Sequence, residues 1–177
     1  NVVGHSVRRL DAAEKATGTA MFSTDFTLPG MLYGKVLRSP YAHAKIVNID
    51  TTEAEKLPGV KAVTTYRNTP REIFNTSATM TFTVPALKPV LDQYIFDNVV
   101  RYVGDEVAAV AAVSEEIAEE ALQLIKVEYE ELPTVFDPLE AMKPEAPVIH
   151  ADCGEGKNIP GEIIKIPVGD LKKGFEE

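Results

Sequence analysis

Apolar and polar positions divide the chain into short runs separated by turn residues, with few long helical periods. Met31–Arg38 and Lys45–Asp50 read as strands. Ahead of the first, Leu28-Pro29-Gly30 predicts a turn, because proline sets the bend and glycine supplies a positive φ. Gly34 inside that strand marks a bulge or a close backbone approach. Ala20–Phe22 predicts a further short strand closed by Ser23-Thr24-Asp25, and the Asp11–Gly18 stretch ends in a Thr17-Gly18 turn. Asp50 and Glu53 have capping-box spacing, Ala54 and Leu57 share a helical face, and Pro58-Gly59 ends that helix. Val60–Tyr66 then returns as a strand, so this block reads β-β-α-β.

A second block is more strongly patterned. Glu106–Val113 is almost wholly valine and alanine, as expected of a strand covered on both faces. Ser114 is a good N-cap, and Glu115 and Glu116 lie where a helix N-terminus favours negative charge. Ile117, Ala118, Ala121, Leu122 and Ile125 recur at helical spacing, with Glu119 and Glu120 on the wet side. Lys126–Glu131 alternates, Val127 and Tyr129 facing in, and Pro133 ends it. Together these predict a strand–helix–strand unit. Residues 69–98 carry no clear period. Beyond residue 142 the chain thins into proline- and glycine-rich text that reads as linker. Glu162–Val168 alternates without a local partner, and Gly169-Asp170 starts a helix over Leu171–Glu177. These last features suggest a piece of a longer polypeptide.

The 177 residues suit one domain, and 45% hydrophobic with 25% charged residues is ordinary globular composition. The single cysteine, Cys153, excludes a disulfide framework and any cysteine-rich metal site. No apolar run approaches the ~20 residues needed to span a membrane, and the expected compartment is the reducing cytoplasm. The net charge of -9 is uneven: residues 1–75 hold 10 Lys/Arg against 7 Asp/Glu, and residues 76–177 hold 8 against 20. So acidic a second half argues against nucleic-acid binding.

Candidate chemistry is sparse. No phosphate-cradling glycine motif is present, and Gly154-Glu155-Gly156 reads as linker. Cys153 lies three residues from His150, but no element supports the pair rigidly. His5, His43 and His150 are too scattered for a metal centre. Glu115/Glu119 and Glu116/Glu120 are i, i+4 pairs on an exposed helix side. Lys15 is the nearest candidate for a modifiable lysine of a swinging-arm carrier, an arrangement that needs a hairpin tip.

The motifs in order carry a resemblance. Asp11-Ala12-Ala13-Glu14-Lys15-Ala16-Thr17-Gly18, Leu28-Pro29-Gly30-Met31-Leu32-Tyr33-Gly34, Leu37-Arg38-Ser39-Pro40-Tyr41-Ala42-His43-Ala44 and Leu57-Pro58-Gly59-Val60 come first. Val100-Arg101-Tyr102-Val103-Gly104-Asp105-Glu106-Val107-Ala108, Glu119-Glu120-Ala121 and Val127-Glu128-Tyr129-Glu130-Glu131-Leu132-Pro133 follow, then Gly169-Asp170 with Phe175. The succession resembles the start of the large, molybdopterin-binding subunit of the xanthine dehydrogenase / aldehyde oxidase family. The resemblance implies an α+β fold, the α/β-hammerhead, over residues 1–142, with 143–177 as linker and the start of the next, cofactor-binding region. It also implies a parent oxidoreductase that hydroxylates a purine, aldehyde or N-heterocycle with oxygen from water. The parent would use a molybdenum–pterin cofactor, with [2Fe-2S] and usually FAD on partner modules. The catalytic glutamate and the cofactor loops of such subunits lie after this domain, so no catalytic, cofactor-binding or metal-binding residue is carried over. The domain is expected to be inert alone, to pack against the rest of the subunit and to present surface to the iron–sulfur module. Two turns are the interface candidates: Arg38, Ser39, Pro40, Tyr41 and His43 in one, and Arg101, Tyr102, Gly104 and Asp105 in the other. A stand-alone interaction module of the same fold is the alternative, and shaping of the local turns is the alternative role for those residues.

Overall fold

The computed structural model describes residues 3–74, 91–151, 158 and 169–176. The chain falls into two units, Asn1–Leu32 and Tyr33–Glu177. In the first, α1 (Ala12–Thr17) is a short helix, and a single 3-10 turn follows at Ser23–Asp25. The expected strand at Ala20–Phe22 is absent. Phe22 instead starts the 3-10 turn, its N–H donating to Asp25 Oδ2 at 2.8 Å. Two or three apolar residues with no partner strand do not make a ladder, and the serine, threonine and aspartate behind them favour local turn bonding.

The second unit is built on two three-stranded antiparallel sheets. Its elements are β1 (Tyr33–Arg38), β2 (Ala44–Asp50), α2 (Thr52–Lys56), β3 (Val60–Thr65), β4 (Val99–Val100), β5 (Glu106–Ala112), α3 (Glu115–Leu124) and β6 (Lys126–Glu131). Two short helices follow, α4 (Pro138–Ala141) and α5 (Leu171–Glu176). The valine–alanine strand β5 is the centre of one sheet, between β1 and β3. Its Val107, Ala108, Val110 and Ala112 are buried. One row across the sheet is Lys35↔Val110↔Val63, the next Val36↔Ala109↔Thr64. Lys35 pairs with Glu115 in the first turn of α3, so α3 covers the face that carries Lys35, Val110 and Val63. Ala118 and Ala121 of α3 are fully buried, and their small side chains let the helix sit close to the sheet. Ser114 caps the helix, its Oγ accepting from Ile117 N–H at 3.3 Å.

The strand–helix–strand unit forms, but its two strands part company. β6 joins β4 and β2 in the second sheet, where β2 is central. Matched side chains face each other along the ladder between β2 and β6. Asp50 faces Lys126 and Lys45 faces Glu130 across the β2–β6 ladder. Opposite charges at paired positions stabilise an antiparallel register. On the inner side Ile46 and Ile49 are buried, and Tyr129 lies against Tyr41 with ring centroids 4.9 Å apart. Side chains of both sheets enter one core cluster.

Two local expectations are corrected. Gly34 is no bulge: the β1–β5 register shifts between Leu37 and Arg38, and a Cβ at Gly34 would meet nothing within 4 Å. Asp50 does not form a capping box with Glu53. Its Oδ1 accepts from Thr52 N–H at 3.0 Å, while Glu53 pairs with Lys56 at 2.9 Å within α2. Gly59 ends that helical turn as expected. Its φ is +99°, and a Cβ there would stand 2.7 Å from Ile117 Cδ1, so it permits both the turn and the approach of α3.

Candidate functional site

The two turns chosen from the sequence, more than sixty residues apart, meet at one corner of the second unit. Ser39 N–H donates to the Asp105 carbonyl and Gly104 N–H to the Ser39 carbonyl, both at 2.8 Å. Gly104 adopts φ +96°, which lets the second turn close without strain. Arg38 reaches over the corner, donating from Nη1 to the Gly104 carbonyl at 2.7 Å and to Glu106 Oε1 at 2.8 Å. Tyr102 OH donates to Glu106 Oε2 at 3.1 Å. Ser39 Oγ accepts from Tyr41 N–H and donates to the Tyr41 carbonyl, each at 3.0 Å, folding the Ser39-Pro40 bend back on itself.

Asp105 closes its own turn. Its carboxylate accepts from Arg101 N–H at 2.8 Å and Glu106 N–H at 3.0 Å. Burial nevertheless pushes the Asp105 carboxyl above its ordinary value, with the Glu106 charge adding to that and the backbone donors opposing it. Desolvation, helped by Asp105 and Glu106, pushes the Tyr102 phenol up to about 12. At working pH Tyr102 is therefore a neutral donor.

Arg101 and His43 act inside the domain. The Arg101 side chain is only 9% exposed, and its Nη1 donates to Asp97 Oδ2 at 2.8 Å, beside the Val99 carbonyl at 3.2 Å. Its Nε donates to the Ile149 carbonyl at 3.3 Å. Asp97, 7% exposed, also receives Arg71 and the Asn98 N–H. Arg71 lies over the Tyr94 ring, 4.1 Å from its centroid. His43 is buried, and its Nδ1–H donates to the Pro133 carbonyl at 2.7 Å, since a carbonyl can only accept. Leu132 N–H donates to the His43 carbonyl at 2.9 Å, fixing the chain just after β6.

Behind the corner lies a cavity of about 290 Å³, lined by His43, Val99, Arg101, Leu132, Pro133 and Ile149 among others. Its walls are mainly apolar. The segment that borders it is held by Asn158, which donates to the carbonyls of Ala141 (3.1 Å) and Pro147 (2.7 Å) and accepts from Ile149 N–H (2.8 Å).

Other candidates fall elsewhere. Lys15 sits in α1, paired with Asp11 at 2.6 Å, and not at a hairpin tip, so the carrier geometry is not met. Glu115, Glu116, Glu119 and Glu120 stay on the exposed side of α3. His150 is half-buried with an unpartnered Nδ1, and burial pushes its pKa down. Cys153, the Gly154–Gly156 text and the Glu162–Val168 run lie outside the described residues. Asp97, Arg71 and Asn158 were not foreseen. The only sequence signal for the first was its i, i+4 spacing to Arg101 in a segment without periodicity. Among the described residues no three His, Cys, Asp or Glu side chains group to hold a metal ion. No helix among them is long and apolar enough to cross a membrane.

Comparison with known proteins adds a family. The model described as "Aldehyde oxidase and xanthine dehydrogenase, a/b hammerhead domain" matches residues 17–133. The chain is 44% identical over 171 residues to a probable xanthine dehydrogenase subunit of Bacillus subtilis (strain 168), covering 95% of this chain and 20% of that one. It is 35% identical over 176 residues to the "Nicotinate dehydrogenase large molybdopterin subunit" of Eubacterium barkeri, covering 99% of this chain and 38% of that one. Among solved structures it is similar to the aldehyde oxidoreductase of Desulfovibrio gigas, with TM-score 0.69, 32% identity, and coverage of 80% of this chain and 16% of that one. The chain thus spans between about a seventh and two-fifths of the length of the curated relatives it matches.

Proposed function

Because the chain belongs to the aldehyde oxidase and xanthine dehydrogenase a/b hammerhead family, we propose that it is the front domain of the large, molybdopterin-binding subunit of a molybdenum hydroxylase. The parent is an oxidoreductase that hydroxylates an aldehyde, a purine or another N-heterocycle with oxygen from water. The observation that carries this is the similarity through nearly the whole chain to a probable xanthine dehydrogenase subunit and a nicotinate dehydrogenase large molybdopterin subunit. The cofactor, a molybdenum–pterin group, belongs to the rest of the subunit, and [2Fe-2S] and FAD modules are its electron-carrying partners. A cytoplasmic setting agrees with the single cysteine.

Within that enzyme the domain is a support. Ser39, Tyr41, Arg101, Gly104 and Asp105 hold the corner rigid, His43 ties the chain after it to Pro133, and rigid scaffolding is what positions neighbouring sites. Arg38, Pro40 and Tyr102 are exposed and offer the corner's contact surface to an adjoining module. Residues 143–151 stay tied to the domain through Arg101 and Asn158, so the linker to the next region is proposed to begin beyond them.

The test is to purify the product of the native gene, measure its molybdenum, and assay hydroxylation of aldehydes, purines and N-heterocycles in ¹⁸O-labelled water. The expected result is stoichiometric molybdenum and label in the product. A native product without molybdenum that hydroxylates none of these substrates would overturn the reading.

A further inference from the structure

Beyond α4, residues 142–151 are pinned to the second unit at neighbouring points. Arg101 Nε donates to the Ile149 carbonyl, and Ile149 N–H donates to Asn158 Oδ1. Asn158 Nδ2 also holds the carbonyls of Ala141 and Pro147. His150 follows directly. Its ring is half-buried, and Nδ1 lies out of solvent with no hydrogen-bond partner. A neutral imidazole tolerates this, because it can keep its proton on Nε2 and leave only a lone pair at Nδ1. An imidazolium cannot. Both ring nitrogens then carry protons, and the one on Nδ1 is a buried donor without an acceptor.

The charged groups around the ring do not remove the conflict. Arg101, in the turn after β4, opposes a second positive charge, while Asp92 ahead of β4 and Asp105 in the Arg101 turn favour it. Arg101 is itself matched by Asp97. On the segment's own side Lys143 pairs with Glu140, and Glu145 is exposed. Burial is the largest of these effects and Arg101 the next, so the His150 pKa lies below the ordinary histidine value. All of these groups belong to the second unit. We propose that residues 142–151 form a pH-operated strap, closed on the domain while His150 is neutral and released when His150 takes up a second proton. Release lets Nδ1–H reach water. Because the closed strap binds that proton less tightly than the open one, closure holds above the range of free histidine and is lost as pH falls through it.

The test is hydrogen exchange followed by mass spectrometry on the product of the native gene, at about pH 5 and about pH 7.5, which bracket histidine titration. Rates are corrected for the intrinsic pH dependence of amide exchange. Peptides containing Ile149 should exchange at least about fivefold faster at the lower pH, the change implied by one buried donor left without an acceptor. Peptides over Val107–Ala112 should stay protected at both. His150→Gln and His150→Phe, which cannot take up a proton there, should keep the strap equally protected at both pH values. No acceleration in the wild type would overturn the proposal. So would acceleration that persists in either variant, which would assign the response to His43 or to a carboxylate such as Asp105. Acceleration that spreads to Val107–Ala112 would overturn it too, since general unfolding and not release would then be the cause.

Discussion

Replacing Arg101 by methionine separates the two arginines of the corner. The variant keeps a long apolar stem in place but removes a charge whose side chain is 9% exposed. It takes a cation from Asp97, itself 7% exposed, and donors from the Val99 and Ile149 carbonyls. Removing one partner of a buried pair costs about 3–5 kcal/mol. Asp97 keeps Arg71 and the Asn98 N–H, which puts this case at the low end, about 3 kcal/mol. For a chain of this size that is a fall in Tm of about 6–12 °C. Arg38→Met is the control. The Arg38–Glu106 pair is 54% and 39% exposed, and exposed pairs contribute at most about 1 kcal/mol. Thermal unfolding of the purified chain by circular dichroism measures both. High salt should narrow the gap between wild type and Arg38→Met while leaving the Arg101→Met deficit in place. An Arg101→Met Tm within about 2 °C of wild type, or equal to that of Arg38→Met, would refute the assignment of Arg101 as an internal staple.

Two further outcomes follow from the same geometry. Gly59→Ala should destabilise by about 2 kcal/mol, part from the positive φ and part from the Cβ meeting Ile117 Cδ1, and adding Ile117→Val should recover only the second part in urea unfolding. Asp105 has a folded-state pKa raised above its unfolded value, so the native state binds its proton more tightly. Its stabilising contribution is therefore present in acid and is lost as pH rises through the folded-state pKa. Wild-type stability relative to Asp105→Asn should accordingly decline from the ordinary aspartate range upward, and a flat or rising difference would show that the carboxyl is not held up by burial.

Several elements were legible because their signals are local. Ser114, the alternation after Lys126 and the valine–alanine run each announce an element within a few residues, and the structure places a cap, β6 and β5 there. The family was legible for a related reason: its turn motifs keep their order along the chain. Sheet membership was not. The chain reads β5-α3-β6 as one continuous unit, yet β6 pairs with β2, Lys126 opposite Asp50 and Glu130 opposite Lys45. The inward role of Arg101 was hidden too, because a guanidinium in a turn looks the same on paper whether it faces water or a buried carboxylate. That distinction depends on Asp97 and Ile149, which reach it from segments without periodicity.

The ladder pairing has a consequence for synthesis on the ribosome. Every described ladder joins an element from residues 33–65 to one from residues 99–131, and β1, β2 and β3 do not pair with one another. Among the described residues, β1, β2 and β3 therefore have no partner strand while the stretch from Thr65 to Val99 is made. At ordinary elongation rates that wait lasts on the order of 2–7 s. Slow codons placed in this interval would lengthen the exposure of unpaired β edges and raise the risk of intermolecular pairing. The same codons placed after β6 would be harmless to these ladders, since by then each early strand has met its mate.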